Sequence, residues 1–77
     1  MLTKEQVLNL EIGDTLREEL SYCYSVTVSR RSVSCWDVKV QYRSARVMKE
    51  WAAFSRPDAW KRVGQARARY GGKGTRK

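Results

Sequence analysis

Hydrophobic and polar residues alternate along two runs between Tyr22 and Tyr42, and a short polar segment separates the runs. In both runs the even positions carry tyrosine, tryptophan or valine, whereas the odd positions carry cysteine or polar side chains. Successive side chains of a strand point to opposite faces of a sheet, so the pattern predicts a β-hairpin over residues 22–42 with one apolar face. A three-residue loop at Ser29-Arg30-Arg31 would keep even-numbered residues of one strand opposite even-numbered residues of the other. It would place Val26 opposite Ser34.

The residues before the hairpin predict a short helix and a third strand. Thr3 and Gln6 have the spacing of a capping box, in which each side chain binds the backbone N–H of the other residue. A helix over about residues 4–10 follows, and the Gly13-Asp14 pair ends it. Residues 14–20 fit either a helix or a strand, and the strand is favoured because a two-stranded hairpin alone is marginal in water.

After the hairpin, the hydrophobic period changes from two to that of a helix. The following apolar residues share one arc when residues are spaced at 100°: Val47, Met48, Trp51, Ala52 and Phe54. This arc predicts an amphipathic helix over residues 45–54 with Ser44 as its N-cap. A second helix start follows at Ser55, with Pro57 in its first turn, and Gly71-Gly72 ends that helix.

Together these elements predict a small α+β domain over residues 1–70, in which an antiparallel sheet packs on two C-terminal helices. A basic flexible tail is predicted over residues 71–77. The segment Leu10-Glu11-Ile12-Gly13-Asp14-Thr15-Leu16 resembles the start of the first strand of many small SH3-like barrels. That resemblance implies an alternative fold, an SH3-like β-barrel, in which residues 45–54 would form a strand.

The charge of the chain is unevenly distributed. The 77 residues carry a net charge of +8. Residues 1–29 hold two basic and five acidic residues, a net −3, whereas residues 30–77 hold fourteen basic and three acidic residues, a net +11. A segment this basic favours an anionic partner, most often a nucleic acid and less often an acidic protein. The opposite signs of the two parts also leave head-to-tail association into a homo-oligomer open.

Basic residues concentrate in three stretches that form the predicted nucleic-acid-binding surface. Residues 61–77 hold seven basic residues and no acidic residue, a composition that neutralises phosphates without base-specific geometry. The hairpin loop and the segment after the hairpin would extend this surface. The predicted phosphate contacts are Arg30, Arg31, Arg43, Arg46, Lys49, Lys61, Arg62, Arg67, Arg69, Lys73, Arg76 and Lys77.

The aromatic residues divide between the interior and the predicted surface. A chain this small needs Trp36 and the tyrosines of the hairpin for its core. Trp60 and Tyr70 lie closer to the basic segment, and they are therefore the better candidates if any aromatic residue stacks on nucleic-acid bases.

The residues that most enzymes use are absent or isolated. The chain has no histidine, which removes the commonest acid–base group, and two cysteines are too few for a tetrahedral metal site. We therefore expect no enzymatic activity, no metal and no cofactor. In the predicted register Cys23 and Cys35 are diagonal neighbours about 7–8 Å apart, beyond the usual disulfide span, so both thiols are predicted to be free.

The chain shows no apolar run long enough to cross a bilayer and no leader, so a cytoplasmic location without a membrane partner is expected. The sequence favours a small, non-enzymatic accessory protein that binds RNA or DNA through phosphate contacts. The alternative is a protein-interaction module, an adaptor or inhibitor whose basic surface docks on an acidic partner.

Overall fold

The computed structural model describes residues 2–21 and 23–71, which form two helices and four strands. In chain order these are α1 (Lys4–Leu8), β1 (Thr15–Glu19), β2 (Tyr24–Ser32), β3 (Cys35–Tyr42), β4 (Val47–Ala53) and α2 (Arg56–Tyr70). The strands form one antiparallel sheet in the order β1-β2-β3-β4, so each pairs with its neighbour in sequence. The predicted α+β class is confirmed.

The helices cover one face of the sheet, and the core lies between them and that face. The buried cluster joins the even residues of β2 and β3 to apolar residues of both helices and the edges of the sheet: Leu2, Val7, Leu10, Val26, Val28, Trp36, Val38, Val40, Ala53, Ala59, Val63 and Ala66. The predicted apolar face of the hairpin is therefore the core face. Among the described strands β1 and β4 are the edges of an open sheet, which differs from the closed SH3-like barrel considered as the alternative.

The hairpin has the predicted parity but a different register. In the structure Val26 lies opposite Val40, and the turn falls at residues 33–34. Residues 29–31, predicted as the loop, belong to β2. The predicted register was wrong because it placed Val26 opposite Ser34, whereas the later turn pairs valine with valine across the two strands without changing parity.

The two cysteines are free thiols, as predicted, although the predicted register placed them too close together. Cys35 pairs with Ser32 beside the β2–β3 turn, whereas Cys23 immediately precedes the other end of β2. A nine-residue strand separates the two thiols, which corresponds to roughly 30 Å. No disulfide can span that distance.

The segment 45–54 is the main correction to the sequence prediction, because Val47–Ala53 is the edge strand β4 and not a helix. Val47 and Met48, predicted to face the core, are 46% and 41% exposed. The predicted N-cap Ser44 lies in the turn between β3 and β4. The strand is the more stable arrangement because β3 is buried, and β4 supplies partners for the backbone N–H and C=O groups along its outer edge.

Both helices begin at the predicted caps. Gln6 N–H donates to Thr3 Oγ1 at 3.1 Å, and Thr3 N–H donates to Gln6 Oε1 at 3.0 Å, which completes the capping box of α1. Ser55 Oγ accepts from Asp58 N–H at 3.2 Å at the start of α2. Helix α1 has five residues, shorter than predicted. The predicted strand over residues 14–20 is β1.

The turn between β3 and β4 holds an alanine in the left-handed backbone region. Ala45 has a φ of 71°, and its N–H donates to the Tyr42 carbonyl at 2.8 Å. A side chain in this conformation costs about 1–2 kcal/mol, a cost that glycine avoids. We expect Ala45→Gly to raise the free energy of unfolding by about 1 kcal/mol and the Tm by about 4–8 °C, measured by urea and thermal unfolding.

Ser44→Gly is the matched control, because Ser44 lies in the same turn with an ordinary φ. There the added backbone freedom of glycine should lower stability by about 0.5–1 kcal/mol. If both variants changed the free energy of unfolding equally, the left-handed conformation of Ala45 would not destabilise the fold.

Candidate nucleic-acid interface

Contacts among three tyrosines fix the C-terminal end of α2 beside the turn between β3 and β4. The Tyr24 ring centroid lies 5.5 Å from that of Tyr42 and 5.1 Å from that of Tyr70. Because Tyr42 precedes the turn and Tyr70 ends α2, basic residues of both elements share one end of the molecule. We call this the cationic end and define it by Arg43, Arg46, Lys49 and Arg69.

A groove lies at the cationic end between the edge strand β4 and α2. It is an open depression with a volume of about 370 Å³. The residues that line it are Lys49, Trp51, Gln65, Ala68 and Arg69. Trp51 is half-buried and lies opposite the buried Val38, so its side chain is on the face of the sheet that the helices cover. The groove thus combines an aromatic side chain with two cations and an amide.

The basic side chains near the groove have few partners within the fold. Lys49 Nζ lies 5.7 Å from the centroid of the Trp51 ring, within cation–π range. Across residues 2–21 and 23–71, the side chains of Arg46 and Arg69 have no hydrogen-bonded or ion-paired partner. The exposed Lys61 lies one helical turn before Gln65, on the groove side of α2.

Arg67, a predicted phosphate contact, is held in an internal ion pair. Its guanidinium donates to the two carboxylate oxygens of Glu18 at 2.6 and 3.0 Å and to the Leu2 carbonyl at 2.6 Å. The Glu18 side chain is 7% exposed, and hydrogen bonding from Arg67 lowers its pKa while burial acts in the opposite direction. The same guanidinium lies 5.0 Å from the Trp60 ring centroid. The fold therefore already uses the charge of Arg67.

Arg30 and Arg31 lie at the opposite end, near the β2–β3 turn, so the structure does not bring them to the cationic end. Arg31 forms an ion pair with Asp37 at 2.7 Å. The Arg30 guanidinium lies 4.8 Å from the centroid of the Trp36 ring. It also donates to three main-chain carbonyls, those of Leu10, Ser32 and Val33, at 3.1, 3.2 and 2.9 Å.

Arg62, another predicted phosphate contact, also has partners within the fold. Arg62 Nε lies 3.7 Å from Asp58 Oδ1, and Arg62 Nη1 donates to the Gln65 side-chain carbonyl at 3.0 Å. Arg30, Arg31 and Arg62 are therefore all engaged inside the protein. Arg46 and Arg69 of the cationic end have no such partner within the described residues.

The basic tail predicted over residues 71–77 falls almost entirely outside the described residues. Gly71 is described, and its N–H donates to the Arg67 carbonyl at 2.9 Å just after the end of α2. The predicted contacts Lys73, Arg76 and Lys77 lie beyond it, outside the described residues.

Trp51 is the site residue that the sequence prediction missed. The helix predicted over residues 45–54 placed this tryptophan on the inward arc; in strand β4 it does pack against the core, and it also lines the groove beside Lys49. Lys49, Trp51 and Ala53 alternate with residues of the other face, which is a period-two signal. The lysine obscured that signal because it breaks the apolar series.

The other described aromatic residues serve the interior. Trp36 is 2% exposed, and the described tyrosines of the hairpin are half-buried. Tyr22, also predicted for the core, lies outside the described residues. Trp60 and Tyr70, the candidates for stacking on bases, are half-buried. Trp60 contacts the Arg67 guanidinium, and Tyr70 contacts the Tyr24 ring. Trp51 is therefore the tryptophan that combines partial exposure with a groove.

No protein-family model, curated protein or solved structure matches this chain. Within the described ranges, neither helix combines the length and the apolar character that a membrane crossing requires.

Proposed function

We propose that this protein is a small, non-enzymatic nucleic-acid-binding accessory protein that holds phosphates at its cationic end. The observation that carries the proposal is the convergence of Lys49 and Arg69 on an open groove lined by Trp51. Arg46 lies three residues before Lys49, immediately before strand β4 begins. Basic side chains that neutralise phosphates release counterions, which supplies affinity for any sequence. A basic groove with an aromatic side chain is a common arrangement for binding nucleic-acid strands.

The internal contacts of the other arginines support this location. Arg30, Arg31, Arg62 and Arg67 already have hydrogen-bonded or ion-paired partners, which an external phosphate would have to replace. The side chain of Arg69 requires no such exchange within the described structure. The predicted phosphate contacts that belong to the proposed interface are Arg43, Arg46, Lys49, Lys61 and Arg69, with Lys73, Arg76 and Lys77 following in sequence.

Reversing two charges at the cationic end should remove most of the binding. In Arg46→Glu/Arg69→Glu the net charge falls from +8 to +4, and we expect the affinity for a short single-stranded oligonucleotide to fall about tenfold or more. The matched control Lys4→Glu/Arg56→Glu has the same net charge, but its new carboxylates lie in the first turns of α1 and α2. We expect the control to lose less than about threefold. Fluorescence anisotropy measures both affinities.

The salt dependence of binding provides a second readout. About five phosphate contacts give a slope of log K against log salt near −3.5 on single strands and near −4.5 on duplex DNA. Losing two contacts should reduce the single-strand slope by about 1.4. Equal losses of affinity in the double variant and its control would contradict a localised site. Binding that is undetectable or independent of salt would remove the proposal, provided that circular dichroism shows both variants folded.

A protein-interaction module is the second candidate, because the cationic end also exposes apolar residues. Val47 and Met48 lie between Arg46 and Lys49 and are 46% and 41% exposed. Apolar residues bordered by charge are typical of a protein–protein interface, and a basic border selects an acidic partner. A co-purifying acidic protein, without any oligonucleotide binding at matched salt, would favour this candidate. Co-purifying nucleic acid would favour the first.

A further inference from the structure

We propose that the groove takes one base of a single-stranded nucleic acid, stacked against Trp51, while the flanking phosphates contact the surrounding cations. This inference rests on the proposed function and extends it, since phosphate contacts alone bind single strands and duplexes alike. It assigns a substrate class, unpaired nucleotides, to the groove between β4 and α2.

The dimensions and lining of the groove suit one base. Its volume of about 370 Å³ falls within the usual range of small-molecule sites. Ala68 contributes only a methyl group from α2, which leaves space beside the Trp51 indole. The Gln65 carbonyl accepts from Arg62, so the Gln65 amide NH₂ group is left to donate to acceptors on a base edge. Aromatic stacking tolerates every base, because each base has a π-face.

The placement of Trp51 favours unpaired bases over duplexes. The indole is half-buried between a strand and a helix, so a ligand must insert to reach it. Bases within a duplex have both faces covered by their neighbours, and exposing one requires breaking its pair. An unpaired base of a single strand can insert without that cost. A duplex would still reach the exposed cations of the same end.

Two cations border the ring on which the base would stack. Lys49 Nζ lies over the Trp51 ring at 5.7 Å from its centroid, and Arg69 borders the same groove from α2. A base that stacks on this face of the ring would displace the Lys49 ammonium, which would then contact a flanking phosphate together with Arg69. Stacking and phosphate neutralisation would act on the same nucleotide.

The test compares an intact single-stranded oligonucleotide with an abasic oligonucleotide of equal length, because the two carry the same phosphates. We expect the intact strand to bind about tenfold more tightly. Ala68→Leu fills the groove without changing charge, so it should reduce binding of the intact strand to the abasic level and leave abasic binding unchanged. Ala52→Leu, an equal change on the opposite face of β4, is the control and should alter neither affinity.

Tryptophan emission reports stacking directly. Binding of the intact strand should quench part of the wild-type emission, and the quenching should be absent in Trp51→Phe, which retains Trp36 and Trp60. Trp51→Phe keeps an aromatic ring and should retain part of the base-dependent affinity. Thermal unfolding of each variant checks that the change does not act through loss of the fold.

Each outcome separates this inference from the proposed function. If intact and abasic strands bound equally and Ala68→Leu had no effect, stacking in the groove would be overturned while phosphate binding would stand. If neither strand bound, the proposed function would fail as well. If a mononucleotide bound as tightly as the oligonucleotide, the groove would be a small-nucleotide site and the single-strand assignment would be overturned.

Discussion

Arg67→Met is expected to lower the free energy of unfolding by about 3–5 kcal/mol, measured by urea denaturation at neutral pH. The Glu18 side chain is 7% exposed and accepts two hydrogen bonds from Arg67. Without the guanidinium this buried carboxylate loses its ion-pair partner and keeps the Leu2 N–H as a donor, and the Leu2 carbonyl loses a donor. Small domains have a total stability of about 5–15 kcal/mol, so the variant would retain little of it.

The double variant Glu18→Leu/Arg67→Met separates charge from packing. Replacing both partners of a buried ion pair by apolar residues of similar volume is often close to neutral, so the double variant should recover most of the loss. If it were as unstable as Arg67→Met alone, the loss would come from packing around the Arg67 stem or from the unpaired Leu2 backbone groups, and not from the unpaired carboxylate.

Acidification tests the same pair independently. Hydrogen bonding from Arg67 is the largest cause that holds the pKa of Glu18 below its ordinary value of 4.5. A lowered folded-state pKa stabilises the fold above the unfolded pKa, and this stabilisation is lost as the pH falls through the folded value. In Arg67→Met the largest lowering cause is lost, so burial would weigh more against the remaining Leu2 N–H bond and N-terminal charge. The pKa of Glu18 would therefore rise relative to the wild type, and protonation would relieve the buried charge. The stability difference between wild type and Arg67→Met should therefore narrow below pH 4.5.

Arg30→Lys is expected to cost about 2–3 kcal/mol in stability, although the positive charge is kept. The Arg30 guanidinium donates to three carbonyls and packs on the Trp36 ring, and one of those carbonyls belongs to the buried Leu10. It therefore joins the connection after α1 to the β2–β3 turn. An ammonium group cannot donate in the same three directions, so the part-buried Leu10 carbonyl would lose its donor or the two exposed turn carbonyls would lose theirs. Urea denaturation measures the loss.

Arg31→Lys is the matched control for this prediction. The Arg31 side chain is 65% exposed, and its ion pair with Asp37 contributes at most about 1 kcal/mol. Neither lysine variant should change oligonucleotide affinity while the protein is folded, because neither arginine belongs to the cationic end. An equal loss of stability in both variants would contradict the role given to the three carbonyl contacts of Arg30.

The sequence predicted the parts of the fold that depend on neighbouring residues. The capping box at Thr3, the Ser55 cap and the parity of the hairpin are local patterns, and all three are present. The register and the strand β4 depend on partners that are distant in sequence. A short apolar segment such as residues 45–54 also fits a helical arc. It forms a strand because the backbone groups along the outer edge of β3 need partners, and that need is not visible in the segment itself.

The sequence predicted which residue types the candidate site would contain, but not which of those residues lie together. Counting charges identified Arg67 and Arg69 equally, yet Arg67 is held in a pair with a buried residue 49 positions away, and Arg69 lines the groove. The positions of Lys49 and Trp51 follow from the placement of β4 against α2. Tertiary pairing therefore decides which basic residues remain available to a ligand.

The basic side chains gathered at the cationic end give that end of the described protein a local positive potential. In the field of a polyanion a molecule of this kind rotates before contact, so its groove would reach the strand first and a larger share of collisions would be productive. This alignment weakens as salt shortens the Debye length from about 30 Å at 0.01 M to about 10 Å at 0.1 M. The rate of capture should therefore depend on salt through orientation as well as through attraction.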